Sequence, residues 1–224
     1  MKFKDKKVIL FDLDGTLINS APDLAIAVNH MLTSLDYETV DEEIIYEWVG
    51  NGASILVQRA LSRSRIIDKT LDREVVTTAL DIFLKFYANN LCIKTVPYPN
   101  VPQTLTLLKS KGYRLAIITN KPFDFIEPIL KGLEMFELFE YFIGGDSLAD
   151  KKPSPLPLLH VCEKLEVSIS QSIMVGDSKN DILAGEACGM ETIGVTYGYN
   201  YGEDISIYNP STIIDRFEEI LTLI

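Results

Sequence analysis

Val8-Ile9-Leu10-Phe11-Asp12-Leu13-Asp14-Gly15-Thr16 decides how the rest of the chain reads. Four consecutive apolar residues, two of them β-branched, fit a strand buried on both faces, as in a parallel sheet. Two carboxylates and a glycine follow it at once. Runs of the same kind recur at 115–119, 141–143, 172–175 and 191–195. Amphipathic stretches of helical length accompany the later ones. They are 101–110, stopped by Gly112; 122–131, stopped near Gly132 and carrying Pro128, which implies a kink; 155–165; and 179–188, stopped by Gly189. Strand alternating with helix predicts βαβ units in a doubly wound, Rossmann-like α/β domain with a parallel sheet.

From about 19 to 94 the alternation breaks. Residues 22–35, 41–49, 53–61 and 71–90 read as successive helices, the last with Val75, Leu80, Phe83, Leu84 and Tyr87 at helical spacing. The return, Pro97-Tyr98-Pro99-Asn100-Val101-Pro102, has the composition of a boundary. The expected organisation is an α/β core, 1–18 and 95–224, with a small helical domain, 19–94, inserted after the first strand. A length of 224 residues suits one sizeable core with a smaller companion. With 47% hydrophobic and 24% charged residues, a disordered or collagen-like chain is excluded. A net charge of −11 argues against nucleic acid or an anionic membrane as partner. Asp12 and Asp14 break the N-terminal apolar run before it reaches signal-peptide length, and no stretch of membrane-spanning length follows. Cys92, Cys162 and Cys188 are odd in number and lack C-x-x-C spacing, so each is expected as a small buried hydrophobe. A cytoplasmic monomer or homodimer is the expectation.

Sites in doubly wound sheets form beyond the carboxyl ends of strands, where strand order reverses. Four such ends supply Asp12-Leu13-Asp14-Gly15-Thr16, then Thr119-Asn120-Lys121-Pro122, then Lys151-Lys152-Pro153 after a Gly-Gly turn, and Gly176-Asp177-Ser178-Lys179-Asn180-Asp181. Each has a plain alternative: Asp-x-Asp-Gly as a turn, Asp177-Ser178 as a helix cap, Lys151-Lys152 as a solvated pair. Their coincidence at predicted strand ends points to one site. An EF-hand is excluded because Leu17 occupies the position that needs glycine. Asp12, Asp14 and Asp177 make a hard-oxygen set suited to Mg²⁺. A carboxylate there can attack phosphorus, and a second carboxyl two residues on can protonate the leaving oxygen and then deprotonate water. Thr119, with the Asn120 amide and the N–H groups at the start of the helix predicted from Pro122, is placed to hold phosphoryl oxygens. Lys152 is placed to neutralise the developing charge.

Asp12-Leu13-Asp14-Gly15-Thr16, Thr119, Lys152-Pro153 and Gly176-Asp177-Ser178 with Asp181 resemble the four ordered motifs of the haloacid dehalogenase-like hydrolases, and the resemblance spans the whole chain, helical cap included. It implies Asp12 as nucleophile and Asp14 as general acid/base. It also implies Mg²⁺ held by Asp12, the Asp14 backbone carbonyl and Asp177, with Asp181 in support. Within the superfamily, Asn19-Ser20-Ala21-Pro22-Asp23-Leu24, Gly50-Asn51-Gly52-Ala53, Thr119-Asn120-Lys121-Pro122 and Lys152-Pro153-Ser154-Pro155-Leu156-Pro157-Leu158 resemble the phosphoglycolate phosphatases. Asn19 and Asn100 depart from that pattern, which usually has Asp and Gly there; Asn tolerates left-handed backbone, so the turn at Asn100 is expected to survive.

The resemblance implies hydrolysis of a small phosphorylated metabolite, 2-phosphoglycolate first. The alternatives are another capped enzyme of the superfamily, such as a pyrophosphatase or a phosphoglucomutase-like phosphotransferase, or a non-catalytic phosphate-binding regulatory protein. Gly50, Asn51 and Gly52 in the cap are the candidate substrate contacts, through N–H groups at a helix start. Arg59, Arg63 and Arg65 are expected in solvent, and His30 and His160 in structural positions.

Overall fold

The computed structural model describes residues 2–224. The chain enters on β1 (Val8–Phe11) and passes through β2 (Ile18–Asn19). It then winds through four helices, α1 (Ala21–Ser34), α2 (Glu42–Tyr46), α3 (Ala53–Ser62) and α4 (Arg73–Ala88), and returns on β3 (Val96–Pro97). Next come α5 (Val101–Ser110), β4 (Arg114–Ile118), α6 (Ile126–Gly132), β5 (Tyr141–Ile143), α7 (Leu156–Lys164) and β6 (Ser172–Gly176). The chain closes with α8 (Lys179–Cys188), β7 (Glu191–Val195), β8 (Thr212–Ile214) and α9 (Ile220–Leu223).

Six strands form one parallel sheet in the order β5-β4-β1-β6-β7-β8. β1 is central because all four of its residues are buried: Ile9 and Phe11 join one hydrophobic core, Val8 and Leu10 the other. That alternation is the period-2 signature of a strand covered on both faces. Strand order reverses around β1, so its carboxyl end opens into a crevice between β4 and β6. The short antiparallel pair of β2 and β3 joins the exit and re-entry of the helical segment. No helix among the described residues is long and apolar enough to cross a membrane.

The doubly wound parallel sheet agrees with the sequence reading, and β1, β5, β7, α5 and α8 fall on the expected bounds. Several elements differ for physical reasons. α2 ends at Tyr46 rather than continuing to 49, because Trp48 N–H reaches back only to Ile45 (2.9 Å) and Gly50, at φ 117°, turns the chain away. The helix expected from Pro122 opens instead with a 3₁₀ turn, Phe123–Phe125, and α6 begins at Ile126. That start leaves Pro128 in the first helical turn, the one part of a helix that needs no N–H from it. β8 was not expected: it is three residues long, half-exposed, and follows irregular chain. Asn100 lies at φ 63°, so the turn survives as expected. Cys162 is buried and Cys92 and Cys188 half-buried, all three free.

Candidate active site

Asp12 stands one residue beyond β1, buried, with Leu13 N–H donating to its Oδ1 (2.7 Å) and Lys152 Nζ 3.1 Å from the same oxygen. Lys152 is 1% exposed and also donates to Asp181 Oδ1 (2.6 Å). Asp181 Oδ2 accepts from Ser178 N–H (3.0 Å) and Ser178 Oγ (2.8 Å), the reciprocal cap that starts α8. Asp177, at the end of β6, accepts from Thr16 Oγ1 (2.8 Å) and from Tyr199 N–H (2.9 Å). Gly15 and Gly198 close over it: a methyl at either would strike the Asp177 carboxylate.

Carboxylate oxygens of Asp12, Asp177 and Asp181 all lie within 4.8 Å of one another. Burial pushes Asp12 up to about 8; Lys152 opposes the rise, while Asp181, Asp177 and Asp14 add to it. Burial, then Asp181, pushes Asp177 up to about 7. Burial disfavours the Lys152 ammonium, but Asp12 and Asp181 outweigh it and hold it above the ordinary lysine range. Three buried carboxylates thus face a single ammonium, a site short of positive charge. A hard divalent cation fits these donors: all are carboxylate oxygens, with no sulfur or imidazole among them.

The second carboxylate, Asp14, lies toward the helical segment. It accepts from Ser20 Oγ and from Lys121 Nζ at 3.0 and 3.2 Å. Lys121 also donates to the Tyr87 hydroxyl on α4 (2.8 Å). Burial works against the Lys121 charge, but Asp14 and Tyr87 hold it above the ordinary lysine range. Thr119, just past β4, accepts from Lys121 N–H (3.2 Å) and keeps its hydroxyl proton to donate.

Asn120 lies here too, but its side chain bridges rather than faces an anion. Nδ2 donates to Gly50 O (3.1 Å) and Lys152 O (3.0 Å), leaving a buried acceptor, Oδ1, without a partner. Both side-chain N–H groups of Asn120 are thus engaged, so the phosphate contact expected of this residue would fall to its backbone N–H. The N–H groups expected from a helix at Pro122 are also engaged: Phe123 N–H donates to Asp146 Oδ1 (2.8 Å) and Phe125 N–H to Pro122 O (3.2 Å).

Asp12, Asp14, Thr119, Asn120 and Lys121 form one wall of a cavity whose other wall includes Leu24, Val49, Leu56, Phe83 and Tyr87 from the helical segment. It leaves about 30 Å³ for the centres of water-sized groups. At 10–15 Å³ per water, that is room for roughly two or three such groups. Gly50 and Gly52 line the cavity; Asn51 does not. The turn meets the core through carbonyls rather than N–H groups: Gly50 O accepts from Asn120 and from Asn180 Nδ2 (3.2 Å), and Asn51 O from Lys151 Nζ (2.7 Å).

Other residues carry more than the sequence suggested. Arg59 is half-buried, donating to Trp48 O (2.6 Å) and lying over the Tyr201 ring, and Arg65 donates to Tyr201 O (2.7 Å) and pairs with Glu203. Arg63 binds the Glu38 and Thr39 carbonyls. His30 stacks on Phe86 and His160 meets the Tyr141 hydroxyl, both away from the cavity. Asp23, quoted above only within a motif, is buried and accepts from the N–H groups of Ile93, Lys94 and Thr95. Tyr199 ties two regions together. Its N–H reaches Asp177, and its hydroxyl donates to Asn19 Oδ1 (2.8 Å) and accepts from the N–H groups of Ser20 and Ala21.

Comparison with known proteins agrees with this fold. A model of the family described as haloacid dehalogenase-like hydrolase matches residues 9–195. A phosphoglycolate phosphatase of Colwellia psychrerythraea is 56% identical over 99% of this chain and 98% of its own. One of Psychrobacter arcticus is 46% identical over 97% and 95%. The crystal structure of a predicted phosphoglycolate phosphatase from Haemophilus somnus superposes with a TM-score of 0.91 at 39% identity, covering 98% of each chain.

Proposed function

The chain belongs to the haloacid dehalogenase-like hydrolase family and is a phosphoric monoester hydrolase; from that premise we propose that it hydrolyses 2-phosphoglycolate through an aspartyl-phosphate on Asp12, with Mg²⁺ as cofactor. The observation that carries the reading is the buried Asp12 carboxylate at the end of β1, with one oxygen fixed by Leu13 N–H and Lys152. Its other oxygen receives no hydrogen bond from the described residues and is left to attack phosphorus.

Asp14 donates a proton to the leaving oxygen as the phosphorus–oxygen ester bond breaks. It then takes a proton from the water that attacks the aspartyl-phosphate, which releases phosphate and restores Asp12. The Thr119 hydroxyl donates to a phosphoryl oxygen, and Lys152 offsets charge on the nucleophile and the transferred group. Asp12, the Asp14 backbone carbonyl and Asp177 would hold Mg²⁺, which when bound would supply positive charge against the phosphoryl oxygens. Asp181 would support the site from beside it, its Oδ1 accepting from Lys152 and its carboxylate lying within 4.8 Å of those of Asp12 and Asp177. The helical segment 19–94 acts as the cap that closes over the substrate, and the small cavity suits a two-carbon leaving group better than a sugar. The names of the relatives support the same substrate.

The test is a Mg²⁺-supplemented panel of phosphomonoesters, 2-phosphoglycolate and pyrophosphate included, read as kcat/KM before and after chelation. The expected result is strongest turnover of 2-phosphoglycolate, lost on chelation and restored by Mg²⁺. Folded Asp12→Asn is expected to be inactive; robust turnover by it would remove Asp12 as nucleophile.

A further inference from the structure

Beyond β4 the chain reads Thr119-Asn120-Lys121, and the reaction proposed above uses the first of these while giving the third no part. Lys121 is 4% exposed, and it is the only cationic side chain lining the cavity among the described residues. Taking an ammonium out of water is costly unless its partners stay in place. Two partners are present: the Asp14 carboxylate and the Tyr87 hydroxyl, with the ammonium 4.8 Å from the centre of the Tyr87 ring. The three N–H donors of Lys121 meet Asp14 Oδ1 (3.0 Å), Asp14 Oδ2 (3.2 Å) and the Tyr87 hydroxyl (2.8 Å), so an incoming anion shares or replaces the longer Asp14 contact. Tyr87 accepts from Lys121 and keeps its own proton; burial pushes that phenol up to about 12, so it remains a donor at neutral pH. Two donors, one from the core and one from α4, therefore converge beside Asp14. The rest of the facing wall is carbon, from Leu24, Val49, Leu56 and Phe83.

What such a pair would recognise follows from where the leaving group must lie. The argument rests on the proposed reaction, in which the ester oxygen departs beside Asp14. In 2-phosphoglycolate the carboxylate oxygens lie three bonds beyond that ester oxygen. Nζ touches both Asp14 oxygens, so the substrate carboxylate falls within the reach of Lys121 and Tyr87. An uncharged group of the same size would leave the ammonium with Asp14 and Tyr87 as its only partners.

We propose that Lys121, together with the Tyr87 hydroxyl, binds the carboxylate of the leaving group, and that this pair makes the enzyme select phosphomonoesters with a carboxylate one carbon from the ester-bearing oxygen. Lys121 is thereby a specificity determinant, and α4 contributes to it only when the helical segment is seated on the core.

The test compares 2-phosphoglycolate with ethyl phosphate, an ester with the same two-carbon chain and no carboxylate. kcat and KM are measured for wild type, Lys121→Met and Tyr87→Phe at saturating Mg²⁺. In wild type the ratio of kcat/KM favours 2-phosphoglycolate. In Lys121→Met that ratio falls on the order of a hundredfold, chiefly through KM; in Tyr87→Phe, which keeps the ring and loses only the hydroxyl, it falls about tenfold. An equal loss on both substrates, with the ratio unmoved, overturns the assignment and leaves Lys121 only as the group that orders Asp14. Should Lys121→Met not fold, Tyr87→Phe decides by the same ratio. Wild type that hydrolyses ethyl phosphate or other esters without preferring 2-phosphoglycolate overturns the substrate reading and this inference together. A wild-type preference with unmoved ratios in the variants overturns this inference alone.

Discussion

The two walls of the cavity are built differently. On the core wall, the cavity-lining Asp12 is backed by charged groups that stand at strand ends and are tied to one another: Lys152 to Asp12 and Asp181, Asp181 to Ser178, Asp177 to Thr16 and Tyr199. On the helical wall, Leu24, Val49, Leu56 and Phe83 present carbon, and Tyr87 supplies the one hydroxyl. Chemistry on phosphorus gains from charges fixed before the substrate arrives, and the hydrogen-bonded ladder of a parallel sheet fixes them. Recognition of the organic part needs contact area, which packed helices provide and can withdraw by moving.

The sharpest way to break this contrast is to remove the hub of the core wall. Lys152→Met takes away the one ammonium among Asp12, Asp177 and Asp181. At saturating Mg²⁺, kcat is expected to fall about 10³-fold while circular dichroism stays native. A loss smaller than tenfold would mean that neutralisation comes from elsewhere.

The helical half depends on a different carboxylate. Asp23 takes three N–H groups and the Thr95 hydroxyl (2.6 Å) at a position 3% exposed. Asp23→Ala leaves these donors without their acceptor and is expected to cost about 3 kcal/mol in urea unfolding. At 25 °C, kcat should change less than threefold in the protein that remains folded, because no charge on the core wall moves.

Metal removal separates the walls again. Burial pushes Asp12 up to about 8 and Asp177 up to about 7 in the metal-free folded protein, from an ordinary 3.8. Below about pH 4 the two states bind the same protons. As pH rises through 4 to 8 the unfolded chain releases protons that the metal-free site keeps, so the contribution of this site to stability falls across that window. Mg²⁺ binds the charged carboxylates in competition with those protons. The gain in Tm from Mg²⁺ over EDTA should therefore be at least about 3 °C larger at pH 8.5 than at pH 6. A gain independent of pH would place the metal on other ligands.

A smaller effect is expected from narrowing the helical wall. Ala53 opens α3 and lines the cavity. Ala53→Val adds two methyl groups to the lining of this small cavity, and kcat/KM for 2-phosphoglycolate should fall about tenfold. Inhibition by inorganic phosphate, which needs only the core wall, should stay within twofold.

The same contrast governs how much was legible in the sequence. Asp12, Asp14, Thr119 and Asp177 follow buried apolar runs at short offsets, so recognising the strands placed the site. Lys152 stands well beyond β5, and it came into the set only by following the chain past the Gly-Gly turn to the next polar group. Lys121 was in view in Thr119-Asn120-Lys121-Pro122, but a lysine after a strand looks like any solvated one until its burial is known. Tyr87 counted as one apolar residue among several on α4; periodicity reports the ring and is silent about the hydroxyl. Asp23 binds N–H groups some seventy residues away, and no local pattern encodes such a partner. β8 lay hidden because three residues, of which only Ile214 is buried, carry too little period to declare a strand.

The smallest expected effect concerns the outer seam between the two halves, and its smallness is what the contrast requires. Arg65 reaches from the helical segment to the Tyr201 carbonyl and to Glu203, yet its side chain is 42% exposed. Ion pairs in contact with water contribute about 0–1 kcal/mol, because solvation and side-chain entropy offset the Coulomb gain. Arg65→Ala should therefore lower unfolding stability by no more than about 1 kcal/mol and change kcat/KM less than threefold. If the variant instead raised KM for 2-phosphoglycolate tenfold while kcat held, the seam would be setting how often the helical wall is seated. The inner contact of Tyr87 with Lys121 would then not be enough to hold that wall in place.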